Sequence, residues 1–252
     1  MARAAVLGRL TWQVGTVRSV RPESATSRTI TLDLPDWPGH LPGQHVDVRL
    51  TAPDGYSAQR SYSVASDWDP HGDRAVQLTV EEVPDGEVSP YLVQVLGVGD
   101  QIELRGPVGG WFVWRPGDPS RTLLAAGGSG VVPIMAMLRA RRRMGSTAPF
   151  RLVYSVRTPA AVMYGVELAR LDRDDPAFEL QTVYTRERPP GWGGTVGRVR
   201  PEQLLATVGG ESAEATFVCG PTGFVESVAQ TLVTGGVDAS TIKTERFGPT
   251  GG

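Results

Sequence analysis

The sequence predicts two domains, an N-terminal antiparallel β-barrel and a C-terminal α/β domain built on a parallel sheet. Three observations lead there. Through about residue 112, short alternating or β-branched runs are separated by turn clusters. The stretch WRPGDPSR, residues 114–121, is rich in proline and polar residues. Beyond it, strand-like and helix-like segments take turns. A period of two marks half-buried strands, whereas strand–helix alternation marks a parallel sheet with crossover helices. The expected domains are residues 1–114 and 121–252.

In the first part, VGTVRSVRP, RTITLDLP, HVDVRLTAP, AVQLTVEEVP and QIELRGPV read as strands, with a further one ending in RSYSVAS, residues 60–66. WPGHLPGQ, PDGYSAQ, DWDPHGD and GVGD punctuate them, and SPYLVQVL reads as one short helix. About six strands at this spacing make a small barrel. In the second part TLLAAGG, FRLVYSVR, FELQTVYT, ATFVCGP and TIKTERF are strands. VVPIMAMLRARRR, AVMYGVELARL, PEQLLATV and TGFVESVAQTLVT are the helices between them.

Composition narrows the function. Hydrophobic content of 40% and charged content of 21% suit a globular protein with a buried core. A net charge of −2 supplies no footprint for nucleic acid. The basic run at Arg139, Arg141, Arg142 and Arg143 reads as the solvated end of a helix, where cations are welcome. The single cysteine, Cys219, leaves no disulfide within the chain and no cysteine-ligated cluster or zinc site. His40, His45 and His71 lack ligand spacing and read as turn and strand residues, so no metal is expected. No apolar run reaches membrane-spanning length, and MARAAVLGRLTW lacks a secretory core. The expectation is a cytoplasmic protein, monomeric and without a membrane partner.

AAGGSGVVP, residues 125–133, joins the first strand of the second part to its first helix. Gly127, Gly128 and Gly130 let a backbone approach a pyrophosphate, which the helix N-terminus then receives. Pro133 falls in the first helical turn, where its missing N–H costs little. No acidic residue ends the next strand; Arg157 does, and Thr185 and Arg186 end the one after. Cations there suit a ribose 2′-phosphate and favour NADPH over NADH, although ordinary surface arginines would look the same. VCGP then places Cys219 at the carboxyl edge of the sheet, where open α/β sheets bind ligands.

RSYS, GEVSPYL with GPVGGWF, GGSGVVP and CGP, in this order, resemble the ferredoxin–NADP reductase superfamily, over residues 12 to 247. The resemblance implies a Greek-key barrel that binds FAD, followed by an NAD(P)-binding domain. Arg60 then meets the flavin pyrophosphate, Tyr62 stacks on the isoalloxazine, and Ser63 hydrogen-bonds near N5; Ser61 lies within the same motif. Gly86, Val88 and Ser89 match a second phosphate-binding element. Gly128, Gly130 and Pro133 match the nucleotide loop, and Cys219, Gly220 and Pro221 the motif beside the nicotinamide. TERF resembles the family's acid-x-aromatic ending, which puts Glu245 with Ser63 and Cys219 around the reacting atoms and Phe247 over the flavin. Because GPTGG follows, a plain strand-end phenylalanine remains a rival reading of Phe247.

The implied activity is hydride transfer from NADPH or NADH to FAD and electron transfer onward to a ferredoxin, a flavodoxin or an oxygenase component. The alternatives are a reductase of free flavin or another small acceptor, and a flavin-bearing electron-transfer subunit of a larger complex. The run Arg139–Arg143 is a further candidate, as a dock for an acidic carrier.

Overall fold

The computed structural model describes residues 10–67, 75–194 and 196–248. His71 therefore lies outside the described residues. The first sheet holds β1 (Trp12–Ser24), β2 (Ser27–Asp33), β3 (His45–Thr51), β4 (Ser57–Ser63), β5 (Val76–Glu81) and β6 (Gln101–Val108). Their order is β4-β3-β6-β1-β2-β5, every pairing antiparallel. The two edges meet where Val64 pairs with Leu78 and the Ala65 amide donates to Gln77 O at 2.7 Å, which closes the barrel. Closure removes the exposed edges that an open sheet would carry.

Alternation fills the barrel. Val17, Ile30, Leu32, Val46, Val48, Leu78, Val80 and Leu104 point inward and are buried. The short helix expected in SPYLVQVL is a single turn at Tyr91–Val95, widened so that the Leu96 amide reaches Tyr91 O at 2.9 Å. Leu92 and Val93 from that turn pack against the barrel core.

The second sheet holds β7 (Thr122–Gly127), β8 (Phe150–Val156), β9 (Phe178–Tyr184), β10 (Ala215–Pro221) and β11 (Ile242–Phe247), all parallel, in the order β11-β10-β7-β8-β9. Both faces are covered, so β8 is buried at every position. Helices α1 (Val131–Arg143) and α2 (Gly165–Asp174) close one face, with Ile134, Leu138, Leu168 and Leu171 packing on Leu124, Leu152 and Tyr154. On the other face α3 (Pro201–Leu204) and α4 (Thr222–Thr234) bring Leu204, Val225, Val228 and Leu232 onto Leu123, Val153 and Val218.

Three expectations need correction. Helix α2 begins at Gly165 rather than residue 161, because Tyr164 turns into the left-handed region (φ 56°) and its amide donates to Glu23 of the barrel. Helix α3 is one turn, after which Val208 and Glu211 close a turn of their own. The arginine run is not a solvated helix end. Arg139 holds Glu167 and the carbonyl of Ala65, Arg141 is buried against Ala148 O and Asp175, and Arg143 pairs with Asp67. Helix α1 is apolar on nearly all sides because it is wedged between sheet and barrel, so its arginines satisfy carbonyls and carboxylates there. Only Arg142 of the four is left exposed without an ion pair among the described residues, which removes the basis for a basic dock.

Trp114, at the start of the expected junction, is 1% exposed and packs edge-on against Phe150, with ring centroids 5.5 Å apart. Among the described residues no helix is long and apolar enough to cross a membrane.

Candidate active site

Strand β4 carries the first part of the site. Residues two apart share a face, and Arg60 and Tyr62 accordingly lie on one side of it. Tyr62 is half-buried against the barrel core, and burial pushes its phenol up to about 12. It is therefore a neutral ring at ordinary pH. Arg60 donates to the Glu87 carboxylate at 2.6 Å and to Gln59 O at 2.7 Å. Ser61 faces the other way: its hydroxyl donates to Asp47 at 2.7 Å, beside Arg105. Its side chain is thus committed away from Tyr62, and only its backbone lies in the motif. Ser63 ends the strand, directly opposite His45 of β3.

The second phosphate element lies next to it. The Gly86 amide donates to Val83 O at 3.0 Å, and a Cβ on Gly86 would sit 2.9 Å from that same oxygen, so the turn needs glycine. Val88 is buried in the barrel core. The Ser89 hydroxyl oxygen accepts from the Val83 amide at 3.0 Å, which leaves its O–H as the remaining donor.

The remaining parts come from the second sheet. The chain enters at β7, runs outward through β8 and β9, then returns to build β10 and β11 on the other side. The loops after β7 and β10 diverge at this switch point, the place where open α/β sheets form a crevice. Gly128 (φ 55°) to Gly130 make one tight turn before α1, and Pro133 is buried in the first turn of that helix. A Cβ on Gly130 would lie 2.1 Å from Cys219 O, and Cβ atoms on Gly127 or Gly220 would each meet the Phe224 ring at 2.8 Å. Close backbone packing therefore dictates these glycines.

Cys219 stands in register with Ala126 on one side and Glu245 on the other. Burial, then the Glu245 charge, raises its thiol well above the ordinary value, so it is protonated. Burial likewise pushes the Glu245 carboxyl up to about 7. Its Oε2 is buried with no hydrogen-bond partner among the described residues, and its Oε1 lies 3.7 Å from His45 Nδ1. Burial, opposed by Asp47, lowers the His45 imidazole below its usual range. The structure thus brings Ser63, Cys219 and Glu245 towards one place through His45, a residue that the sequence pattern marked only as a strand residue. No local signal could have found it, because its partner belongs to the last strand of the chain.

Arg157, Thr185 and Arg186 also come together. The amides of Arg186 and Glu187 donate to Arg157 O at 3.0 and 3.1 Å, and that of Thr185 to Val156 O at 2.8 Å. Both guanidinium groups are exposed and without an ion pair among the described residues. Phe247 pairs with Pro221 at the ends of β11 and β10 and rests half-buried against the core of the second sheet.

Two family models match the chain in this order. The oxidoreductase FAD-binding domain matches residues 15–113, and the oxidoreductase NAD-binding domain matches residues 124–230. A ferredoxin–NADP reductase B from Sorangium cellulosum is 33% identical over 238 residues, 91% of this chain and 95% of that protein. The chain belongs to the ferredoxin–NADP reductase superfamily. It is an oxidoreductase with the FAD- and NAD(P)-binding domains of that family.

A glycine betaine monooxygenase reductase subunit of Chromohalobacter salexigens is 34% identical over 83% of the chain, but the chain spans only 56% of its length. The solved Amycolatopsis cytochrome P450 reductase matches with a TM-score of 0.81 and 26% identity, over 98% of this chain and 74% of that one. The FAD/NAD-binding domain of a Vibrio cholerae nitric oxide dioxygenase gives the same score at 24% identity and supports the fold alone.

The site fits both groups. Tyr62 offers a neutral ring, the Gly128–Gly130 turn lies at a helix N-terminus, and Glu245 keeps an unpaired buried oxygen.

Proposed function

We propose that this chain oxidises NADPH or NADH and passes the electrons through FAD to a separate acceptor, with Ser63, Cys219 and Glu245 around the reacting atoms. The observation that carries this reading is the contact of His45 with Glu245, because it brings the end of β4 up to the ends of β10 and β11. Bound FAD supplies a hydride acceptor that releases electrons singly or in pairs. The protein's part is placement. Tyr62 holds one ring face, and Arg60 with the 86–89 turn holds the diphosphate. The amides of Gly128 to Val131 receive the nucleotide's pyrophosphate with Pro133 shaping the helix start. Ser63 donates near flavin N5. Cys219, a protonated thiol, orders the nicotinamide side with Gly220 and Pro221 and is no nucleophile. Glu245 keeps a proton at its carboxyl up to about pH 7.

The domains on this reading are residues 1–114 and 121–252, with Trp114 fastening the first to the core of the second. Arg157, Thr185 and Arg186 favour NADPH as donor. A ferredoxin, a flavodoxin or an oxygenase component is the acceptor, by analogy with the reductase subunits it resembles. We take the protein as a cytoplasmic monomer in which Cys219 stays reduced.

Anaerobic stopped-flow reduction by each nucleotide tests the reading. Ser63→Ala is expected to slow reduction about tenfold, the worth of one hydrogen bond of about 1.4 kcal/mol. Tyr62→Ala is expected to weaken FAD binding about tenfold, as loss of a stacking ring does. Unchanged rates and unchanged affinity in both variants would reject the assignment. Presenting ferredoxin, flavodoxin and free FMN as acceptors in turn separates a protein partner from a small one.

A further inference from the structure

Strand β4 carries a third side chain on the face of Arg60 and Tyr62. Tyr56, the residue before the strand, is 57% exposed and lies four positions from Arg60, hence on the same side. It is not loose. Its amide donates to Asp54 Oδ1 at 3.0 Å, its carbonyl accepts from the Ala52 amide at 2.8 Å, and its hydroxyl donates to Glu87. Glu87 also receives Arg60, so one carboxylate fixes both the phenol and the guanidinium. Arg60 has N–H groups left over beyond those given to Glu87 and Gln59, so Glu87 orients it without blocking it.

Along a strand two residues advance about 6.7 Å. The face therefore presents a ring at Tyr62, a cation about 7 Å further on, and a second ring about 13 Å beyond that. Ala58 lies between the last two and carries only a methyl group, so no other side chain of β4 stands between the guanidinium and the phenol. Ring, cation, ring is the order of an isoalloxazine, a diphosphate and an adenine. A mononucleotide ends at the cation.

We infer that Tyr56, held by Glu87, is the stacking platform for the adenine of FAD and makes this site select FAD over FMN. The inference rests on the flavin reading above and adds to it the residue that recognises the far end of the cofactor. Burial of the exposed ring against a base supplies the gain, and the existing hydrogen bonds mean that little ordering is needed on binding.

Fluorescence titration of the apoprotein with FAD and with FMN tests it. Tyr56→Ala is expected to weaken FAD about tenfold while FMN affinity stays within about twofold of the unchanged protein. Tyr56→Phe keeps the ring and is expected to retain most of the FAD affinity. Equal loss for both flavins, or no loss for FAD, overturns the role of Tyr56 while leaving the flavin reading in place. An unchanged protein that takes up neither flavin overturns both.

Discussion

Gly130→Ala is expected to lower the melting temperature by about 10 °C and to slow NAD(P)H-driven flavin reduction about a hundredfold. The added Cβ would lie 2.1 Å from Cys219 O, 2.5 Å from Cys219 C and 2.8 Å from Gly220 N. All three are backbone atoms of β10, so no side chain can rotate aside. The loop after β7 has to withdraw from the strand, at a cost of about 3 kcal/mol, the upper part of the overpacking range. In a chain of this length each kcal/mol shifts the melting point by about 2–4 °C. The kinetic loss has a separate origin: the same loop positions the nucleotide, and a displacement of about 1 Å at a positioned reactant costs about a hundredfold. Gly223→Ala is the control. It lies in α4 with open space around its Cβ, and it is expected to leave both quantities unchanged or to raise stability slightly. Equal melting curves for Gly130→Ala and Gly223→Ala would show that the loop does not sit against β10.

The strands were legible because a period of two and a strand–helix alternation are local properties. QIELRGPV, ATFVCGP and TGFVESVAQTLVT occupy the spans their patterns mark, at 101–108, 215–221 and 222–234. The nucleotide loop was legible too, since glycine at a strand-to-helix turn is a local requirement. Charge was not. RARRR looks like a polar helix end, yet Arg141 is buried, because the surroundings of α1 are set by the barrel and by Ala148 and Asp175. The apolar run VVPIMAML before it was the available signal that α1 is enclosed. His45 and Glu87 were illegible for the same reason: each is defined by a partner from another element, Glu245 for one and Arg60 with Tyr56 for the other.

Glu245→Gln is expected to change how stability varies with pH. Burial holds the Glu245 carboxyl at about 7 in the folded chain, against an ordinary value of 4.5. Between those two pH values the unfolded chain has released a proton that the folded chain keeps. The stability associated with this proton is complete below pH 4.5, falls as pH rises through 7, and levels off above it. The total is at most about 3 kcal/mol, since a tenfold change in proton affinity is worth about 1.4 kcal/mol. His45 acts in the opposite sense: burial lowers its value below 6.5, so its contribution is held at higher pH and lost as pH falls through the folded value. An amide at 245 removes the first effect and leaves the second. Urea unfolding from about pH 4.5 to about 8.5 should therefore show Glu245→Gln more stable than the unchanged protein at about pH 8, by up to about 3 kcal/mol, with the gap closing towards the acid end. The rate of flavin reduction by NADPH should lose a break near pH 7 in the same variant. Parallel stability curves for the two proteins would mean that the carboxyl is solvated and titrates normally. In that case Glu245 has no special proton to hold, and its place among the reacting groups falls with it.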